Sequence, residues 1–212
     1  MTKSEHSSFI YLASQSPRRA ELLAQLGVNH RLLLADDSED AEGLEAVHGA
    51  EAPASYVQRV TKLKLAAAVA RAKQRDLWTK RDAAPILCAD TTVALGRMIL
   101  GKPDGIRAAG QMLSALSGKT HRVLTSVGVA WRVGSQIKTG FALSESRVTF
   151  APLSKTEIEA YIATGEPFGK AGSYGVQGKA AAFISNITGS YSGIMGLPLH
   201  ETALLLKQAK FL

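Results

Sequence analysis

Apolar and polar positions along this 212-residue chain change period repeatedly, and each change marks an element. A short apolar run at 9–13 predicts a strand, and an amphipathic stretch at 19–26, stopped by Gly27, predicts a helix. A second strand is expected at 29–34. Residues 35–52 break the pattern, with Gly, Ala and acids in the proportions of an exposed loop. An Ala-rich helix is expected at 53–73 and a buried strand at 86–89. Segments 93–95 and 98–100 flank Gly96-Arg97, a hairpin signal. A helix at 106–116 ends at Ser117-Gly118, and two long strands, 122–131 and 137–150, join through Gly134-Ser135. Ser154 and Glu157 make a capping box for a helix reaching Thr164. A glycine-rich stretch follows at 165–178, short strands are expected at 181–184 and 191–195, and Pro198 starts a C-terminal helix. Helices and strands alternate with at least one hairpin, so the expectation is an α/β fold on a mixed sheet, residues 1–212 forming one domain of two lobes.

Composition narrows the class. The hydrophobic fraction is 46% with 20% charged residues, as in globular proteins. No apolar run approaches the roughly 18 residues a bilayer span requires, and residues 1–8 lack a signal-peptide core, so the expected setting is cytoplasmic with no membrane partner. The single cysteine, Cys88, allows no internal disulfide and no cysteine zinc cluster, and its apolar neighbours predict a buried thiol. The net charge of +7 favours anionic partners. Seven of the eighteen acids lie within 36–51, so the rest of the chain is more basic still. No basic stripe has interleaved aromatics and no nucleic-acid-binding motif is visible, so a small phosphorylated substrate is favoured over nucleic acid.

Several residues break their local pattern in ways that suggest chemistry. Ser14-Gln15-Ser16-Pro17-Arg18-Arg19 joins a strand to a helix. Pro17 suits a first helical position, free N–H groups there attract anions, and two guanidinium forks match phosphate oxygens. The same residues are also compatible with a plain helix start carrying two solvated arginines. On the helix 53–73, Lys64 shares a stripe with Val57, Val60 and Ala68, whereas Lys62 shares one with polar residues. Lys64 therefore either snorkels from the core or points into a cleft. Asp90 closes the apolar run 85–89 and is followed by Thr91 and Thr92, a placement suited to holding a hard cation or orienting water beyond a strand end. Lys102-Pro103 adds a cation nearby. The acidic loop supplies carboxylates and no histidines cluster, which suits a magnesium–phosphate site better than zinc. In the glycine-rich stretch, Gln177 offers an amide able to read a base edge. Gly118-Lys119-Thr120 imitates the end of a P-loop but follows a helix and lacks the earlier glycine.

Taken in order, Leu12-Ala13-Ser14-Gln15-Ser16-Pro17-Arg18-Arg19, Ala89-Asp90-Thr91, Leu100-Gly101-Lys102-Pro103, the run from Gly169 through Lys170-Ala171-Gly172-Ser173-Tyr174-Gly175-Val176-Gln177 to Gly178, and Gly196-Leu197-Pro198-Leu199 resemble the Maf family of nucleotide pyrophosphatases. The resemblance implies a two-lobed fold related to the inosine triphosphate pyrophosphatases, an elongated mixed sheet flanked by helices with a central cleft. It implies hydrolysis of a nucleoside triphosphate to the monophosphate and pyrophosphate, with a divalent cation, Mg²⁺ or Mn²⁺, and often a homodimer. The subgroup it is similar to acts on dTTP and UTP, because Gln15 and Gln177 stand where the 7-methyl-GTP subgroup tends to have Trp and Glu. A non-catalytic nucleotide- or RNA-binding protein is the other class. Carried over, Asp90 corresponds to the catalytic base, and Glu39 with Asp90 to the metal site. Ser14, Arg18, Arg19, Lys64 and Lys102 correspond to phosphate-contacting positions, and Arg18, Thr91 and Gln177 to positions linked to base preference. The acidic loop after Glu39 is longer than usual, Lys62-Leu63-Lys64-Leu65 replaces a common Glu-Lys-Ala, and Gln15 replaces a common glycine.

Overall fold

A computed structural model of the chain describes residues 8–36, 39, 43–78 and 84–212. Residues 1–7 of the polar N-terminal stretch, and Asp37, Asp40 and Glu42 of the acidic loop, lie outside the described residues. The chain runs β1 (Ile10–Leu12), α1 (Pro17–Gln25), β2 (His30–Leu32), a 3-10 turn at Gly43–Glu45 and α2 (Pro53–Gln74). Then follow β3 (Ile86–Leu95), β4 (Met98–Leu100), α3 (Ile106–Leu116), β5 (Thr120–Val133) and β6 (Gln136–Phe150). The remainder is α4 (Lys155–Ala163), 3-10 turns at Ala171–Ser173 and Lys179–Phe183, β7 (Ile184–Thr188), α5 (Tyr191–Met195) and α6 (Leu199–Gln208).

The described strands form one seven-stranded sheet in the order β2-β1-β3-β5-β6-β7, with β4 folded back on β3. β1 pairs in parallel with β2 and β3, and the other pairings are antiparallel. The sheet is therefore mixed, as expected. Helices cover it in separate apolar clusters. Leu65, Ala68 and Ala72 of α2 pack on Tyr11, Ile86 and Cys88. Leu22 and Leu23 of α1 and Leu205 and Leu206 of α6 pack against Leu87, Val127 and Val129. Leu113 and Leu116 of α3, with Ile158 and Tyr161 of α4, cover Val123, Val148 and Phe150 farther along the long strands. Each fully buried Leu, Ile, Val or Phe side chain among them contributes about 1.5–3 kcal/mol of hydrophobic stabilisation.

One irregularity of pairing creates the space for a site. β1 pairs with β3 at Ile86 and Leu87, and β4 pairs with the same edge from Val93 to Leu95. Between them, among the described strands, residues 88–92 carry only β5 as a partner. The sheet is notched there, beyond the carboxyl end of β1, which is where open α/β sheets admit ligands. Asp90, expected to end its strand, lies in the middle of a ten-residue one, because β5 pairs along its whole length from Ile86 to Ala94. The hydrophobic run stops at the notch while the hydrogen-bond ladder continues.

Two further expectations are corrected. Residues 181–183 belong to a 3-10 turn and the strand begins at Ile184. Residues 191–195, expected as a strand, form the short helix α5, whose start is capped by the Ser190 side chain accepting from the Gly193 N–H and whose end passes through Gly196 at φ 117°. The hairpin at Gly96-Arg97 and the Ser154–Glu157 capping box are present as read, both arms of the box included.

Candidate active site

A cavity of about 1150 Å³ opens at the notch, and Ser14, Arg18, Arg19, Glu39, Lys64, Asp90, Thr91, Lys102 and Gln177 all line it. Every site residue expected from the sequence thus reaches one space, Glu39 from the acidic loop and the others from five further stretches of chain. The strand–turn–helix connection delivers Ser14 and the arginines, α2 delivers Lys64, β3 delivers Asp90 and Thr91, the segment after β4 delivers Lys102, and the glycine-rich stretch delivers Gln177.

Alternation along β3 splits its polar residues between the two faces of the sheet. Asp90 turns toward α2 and is 7% exposed. Its Oδ1 accepts from the Lys64 ammonium at 2.6 Å. Lys64 donates at 2.7 Å to Glu45 Oε1 as well, and Lys102 reaches the same carboxylate at 3.0 and 3.3 Å. The result is a chain of alternating charge, Asp90–Lys64–Glu45–Lys102. Burial pulls the Lys64 pKa down, but Asp90 and Glu45 outweigh it and leave the ammonium above its ordinary value. Burial pushes Glu45 up, and Lys64 and Lys102 more than reverse this, so its carboxyl sits below the usual range. Tyr56 donates its hydroxyl to the Glu45 carbonyl at 2.9 Å and fixes the backbone beneath that side chain. Burial, with Asp90 and Glu45 close by, pushes the Tyr56 phenol up to about 12.

Thr91 points the other way. Its hydroxyl shares a hydrogen bond of 2.9 Å with Thr125, which donates to the Gly193 carbonyl at 2.7 Å. Arg19 spends its whole fork on the protein: Nε on the Gly196 carbonyl at 2.8 Å, and the two terminal nitrogens on Ser14 Oγ at 2.9 Å and Thr91 Oγ1 at 3.4 Å. It ties the turn before α1 to β3 and to the loop after α5. Arg18, its neighbour, lines the cavity with no such ties among the described residues.

Glu39, expected beside Asp90 at a metal site, lines the same cavity and is held there by Arg71. Both its oxygens accept from Arg71, at 2.6 Å each, while Arg71 also donates to the Leu33 carbonyl at 2.7 Å. The Arg71 hydrogen bonds hold the Glu39 carboxyl below its ordinary range. The structure thus gives Glu39 to Arg71, and gives Asp90 and Glu45 to one ammonium. Sequence reasoning passed over Glu45 because its loop has seven acids and no period to single one out. It also passed over Lys170, which lines the cavity and whose pKa is lowered by burial and then by the charge of Arg18. Cys88 is buried as expected, its thiol donating to the Thr61 carbonyl and pushed up to about 12 by burial.

The family model for Maf-like proteins matches residues 9–209 of this sequence. The chain belongs to the Maf family. Relatives in that family are similar over almost their whole length. The dTTP/UTP pyrophosphatase of Albidiferax ferrireducens is 60% identical, across 97% of this chain and 98% of its own. The protein of the same description from a Polaromonas species is also 60% identical, across 96% of each chain. That of Cupriavidus metallidurans is 59% identical, across 96% of this chain and 98% of its own. The Maf match takes in every residue that lines the cavity and all seven strands of the described sheet.

Proposed function

We propose that this chain hydrolyses dTTP and UTP to the monophosphate and pyrophosphate. The observation that carries the reading is the single cavity in which Asp90 meets Lys64, Lys102, Arg18 and Gln177, in a chain 60% identical to proteins described as dTTP/UTP pyrophosphatases. Lys64, Lys102 and Arg18 take the triphosphate oxygens, with Ser14 and the start of α1 on the same side. Arg19, which lines the same cavity, sets the turn that presents them and adds its charge to the phosphate-contacting set. Asp90 accepts or orients the proton of the water that attacks the α-phosphate, a role general bases fill at about 10²–10⁴-fold in rate. Charge growing on the phosphate oxygens is met by cations already in place, which need no reorganisation. Gln177 faces the base with an amide that both donates and accepts, and Thr91 and Arg18 complete that side.

The side chains present fit a hard divalent cation. Asp90 and Glu45 offer carboxylate oxygens on either side of the Lys64 ammonium, itself a cation standing between them. No group of three or more His, Cys, Asp and Glu converges among the described residues, so substrate phosphates and water would complete the shell, as is usual for Mg²⁺. Asp90 and Glu45 are the ligands we assign; Glu39, implied by the family resemblance, lines the same cavity with each oxygen accepting from Arg71. Mg²⁺ or Mn²⁺ so bound would neutralise phosphate charge and polarise the P–O bond under attack. The proposal includes a homodimer. No helix of the described residues is long and apolar enough to cross a membrane.

The test is a panel of triphosphates, with phosphate read after inorganic pyrophosphatase is added, with and without Mg²⁺ or Mn²⁺. Metal-dependent turnover of dTTP and UTP well above purine triphosphates is expected. Turnover confined to 7-methyl-GTP would move the chain to the sibling activity, and binding without turnover would make it a nucleotide-binding protein.

A further inference from the structure

The segment that carries Gln177 is held by a single carboxylate that nothing above assigns to the reaction. Glu166 follows the end of α4 through Gly165 at φ 76° and is half-buried. Its Oε1 accepts from the Tyr161 hydroxyl at 2.8 Å and its Oε2 from the Lys179 backbone N–H at 2.9 Å. The Tyr161 oxygen in turn accepts from the Gly175 N–H at 3.4 Å. The carboxylate thus grips both ends of the stretch 175–179, and Gln177 stands at its centre, exposed to the cavity. Lys170 closes the arrangement by donating to the Glu166 carbonyl. Burial pushes the Glu166 carboxyl up, but the N–H groups of Lys179 and Ala180, the Tyr161 hydroxyl and the Lys170 charge prevail, so it stays ionised.

Gly178 shows how close this grip is. A Cβ there would fall 2.2–2.5 Å from the Glu166 carboxyl atoms, so any side chain at 178 would push the carboxylate off its hydrogen bonds. Upstream, the stretch is fixed independently: Tyr174 shares a 2.8 Å hydrogen bond with His121 Nε2, and the Gly172 N–H donates to the Gly101 carbonyl at 3.0 Å. Val176 before Gln177 and Ala180 beyond it are buried in the core, and the carboxylate of Glu166 holds the exposed bend between them.

We propose that Glu166 is a positioning residue for base discrimination, setting the height and direction from which Gln177 meets the nucleobase. The inference rests on Gln177 reading the base. Glu166 does not touch substrate, and a displaced amide weakens the interaction that separates one base from another while leaving the phosphate cations where they are.

The experiment compares wild type with Glu166→Ala, Glu166→Gln, Tyr161→Phe and Gln177→Ala. The measurements are kcat and KM for dTTP, UTP, CTP and GTP, and inhibition by inorganic tripolyphosphate. Losing a charge-assisted anchor, Glu166→Ala is expected to raise KM for dTTP about tenfold or more and to narrow the preference over GTP, with kcat within about threefold. Tripolyphosphate inhibition is expected to stay unchanged. Glu166→Gln keeps one acceptor and is expected to recover part of the preference, and Tyr161→Phe to show the same trend more weakly. If Gln177→Ala changes the preference and no Glu166 or Tyr161 variant does, the positioning role is overturned and the base-reading role stands. If Gln177→Ala leaves the preference intact, the base-reading role itself fails. A loss of tripolyphosphate inhibition parallel to the loss of dTTP turnover in Glu166→Gln and Tyr161→Phe would show general collapse of the site and overturn the inference.

Discussion

At the scale of single residues, the site is an arrangement of charge. Asp90 and Glu45 each lean on Lys64, and Glu45 leans on Lys102. Removing Lys64 would leave two carboxylates facing each other, so its role cannot be replaced by a neutral side chain of equal length. Glu45 is the residue whose importance rests wholly on the folded structure. Substituting Glu45→Gln replaces one carboxylate oxygen of the proposed cation site with an amide nitrogen, removes the negative charge and relaxes both lysines. Titration of Mn²⁺ binding by electron paramagnetic resonance, which needs no turnover, is expected to show affinity about tenfold lower in Glu45→Gln, with Glu39→Gln close to wild type. An unchanged affinity in Glu45→Gln with loss in Glu39→Gln would return the second carboxylate to Glu39. Lys64 was partly legible beforehand, since it breaks an apolar stripe with Val57 and Val60, both fully buried. What the stripe cannot say is whether such a lysine ends in water or on a carboxylate, because that depends on a strand twenty-six residues away.

At the scale of elements, periodicity located most helices and strands, and failed where hydrogen bonding and hydrophobicity part company. The apolar run before Asp90 ends, but the ladder to β5 does not, so a polar stretch at a notch was mistaken for a strand end. Residues 191–195, expected as a strand, are too few to show a period, and Ser190 and Gly196 cap them as a helix. Contacts between elements carry the pH response. His121 on β5 is 1% exposed and packs edge-on against Phe150 and Tyr174. Burial holds its imidazole down at about 4, from an ordinary 6.5. The neutral ring is the stable one in the fold, so this stabilisation is complete above pH 6.5 and is lost as pH falls from 6.5 toward 4. From pH 7.5 to pH 5 the loss is about 2 kcal/mol. Urea midpoints are expected to show it in wild type and to show most of it gone in His121→Gln. Equal acid sensitivity in the two would place the titrating group elsewhere.

At the scale of the molecule, an excess of seven positive charges and a notch in a mixed sheet serve one end. In the proposed reading they draw a polyanion to a cavity where its tail meets lysines and arginine and its reacting phosphorus comes within reach of Asp90. The ordered motifs made the family legible from the sequence, while the cavity, the Arg19 ties and the Glu45 bridge needed the fold, because each joins segments far apart in the chain. The most direct test follows oxygen from H₂¹⁸O during dTTP hydrolysis, in wild type and Asp90→Asn. The account expects one ¹⁸O in the dTMP phosphate and none in pyrophosphate for wild type. For Asp90→Asn it expects turnover lower by at least about a hundredfold with an unchanged melting temperature. Label in the pyrophosphate, or wild-type turnover by Asp90→Asn, would contradict it.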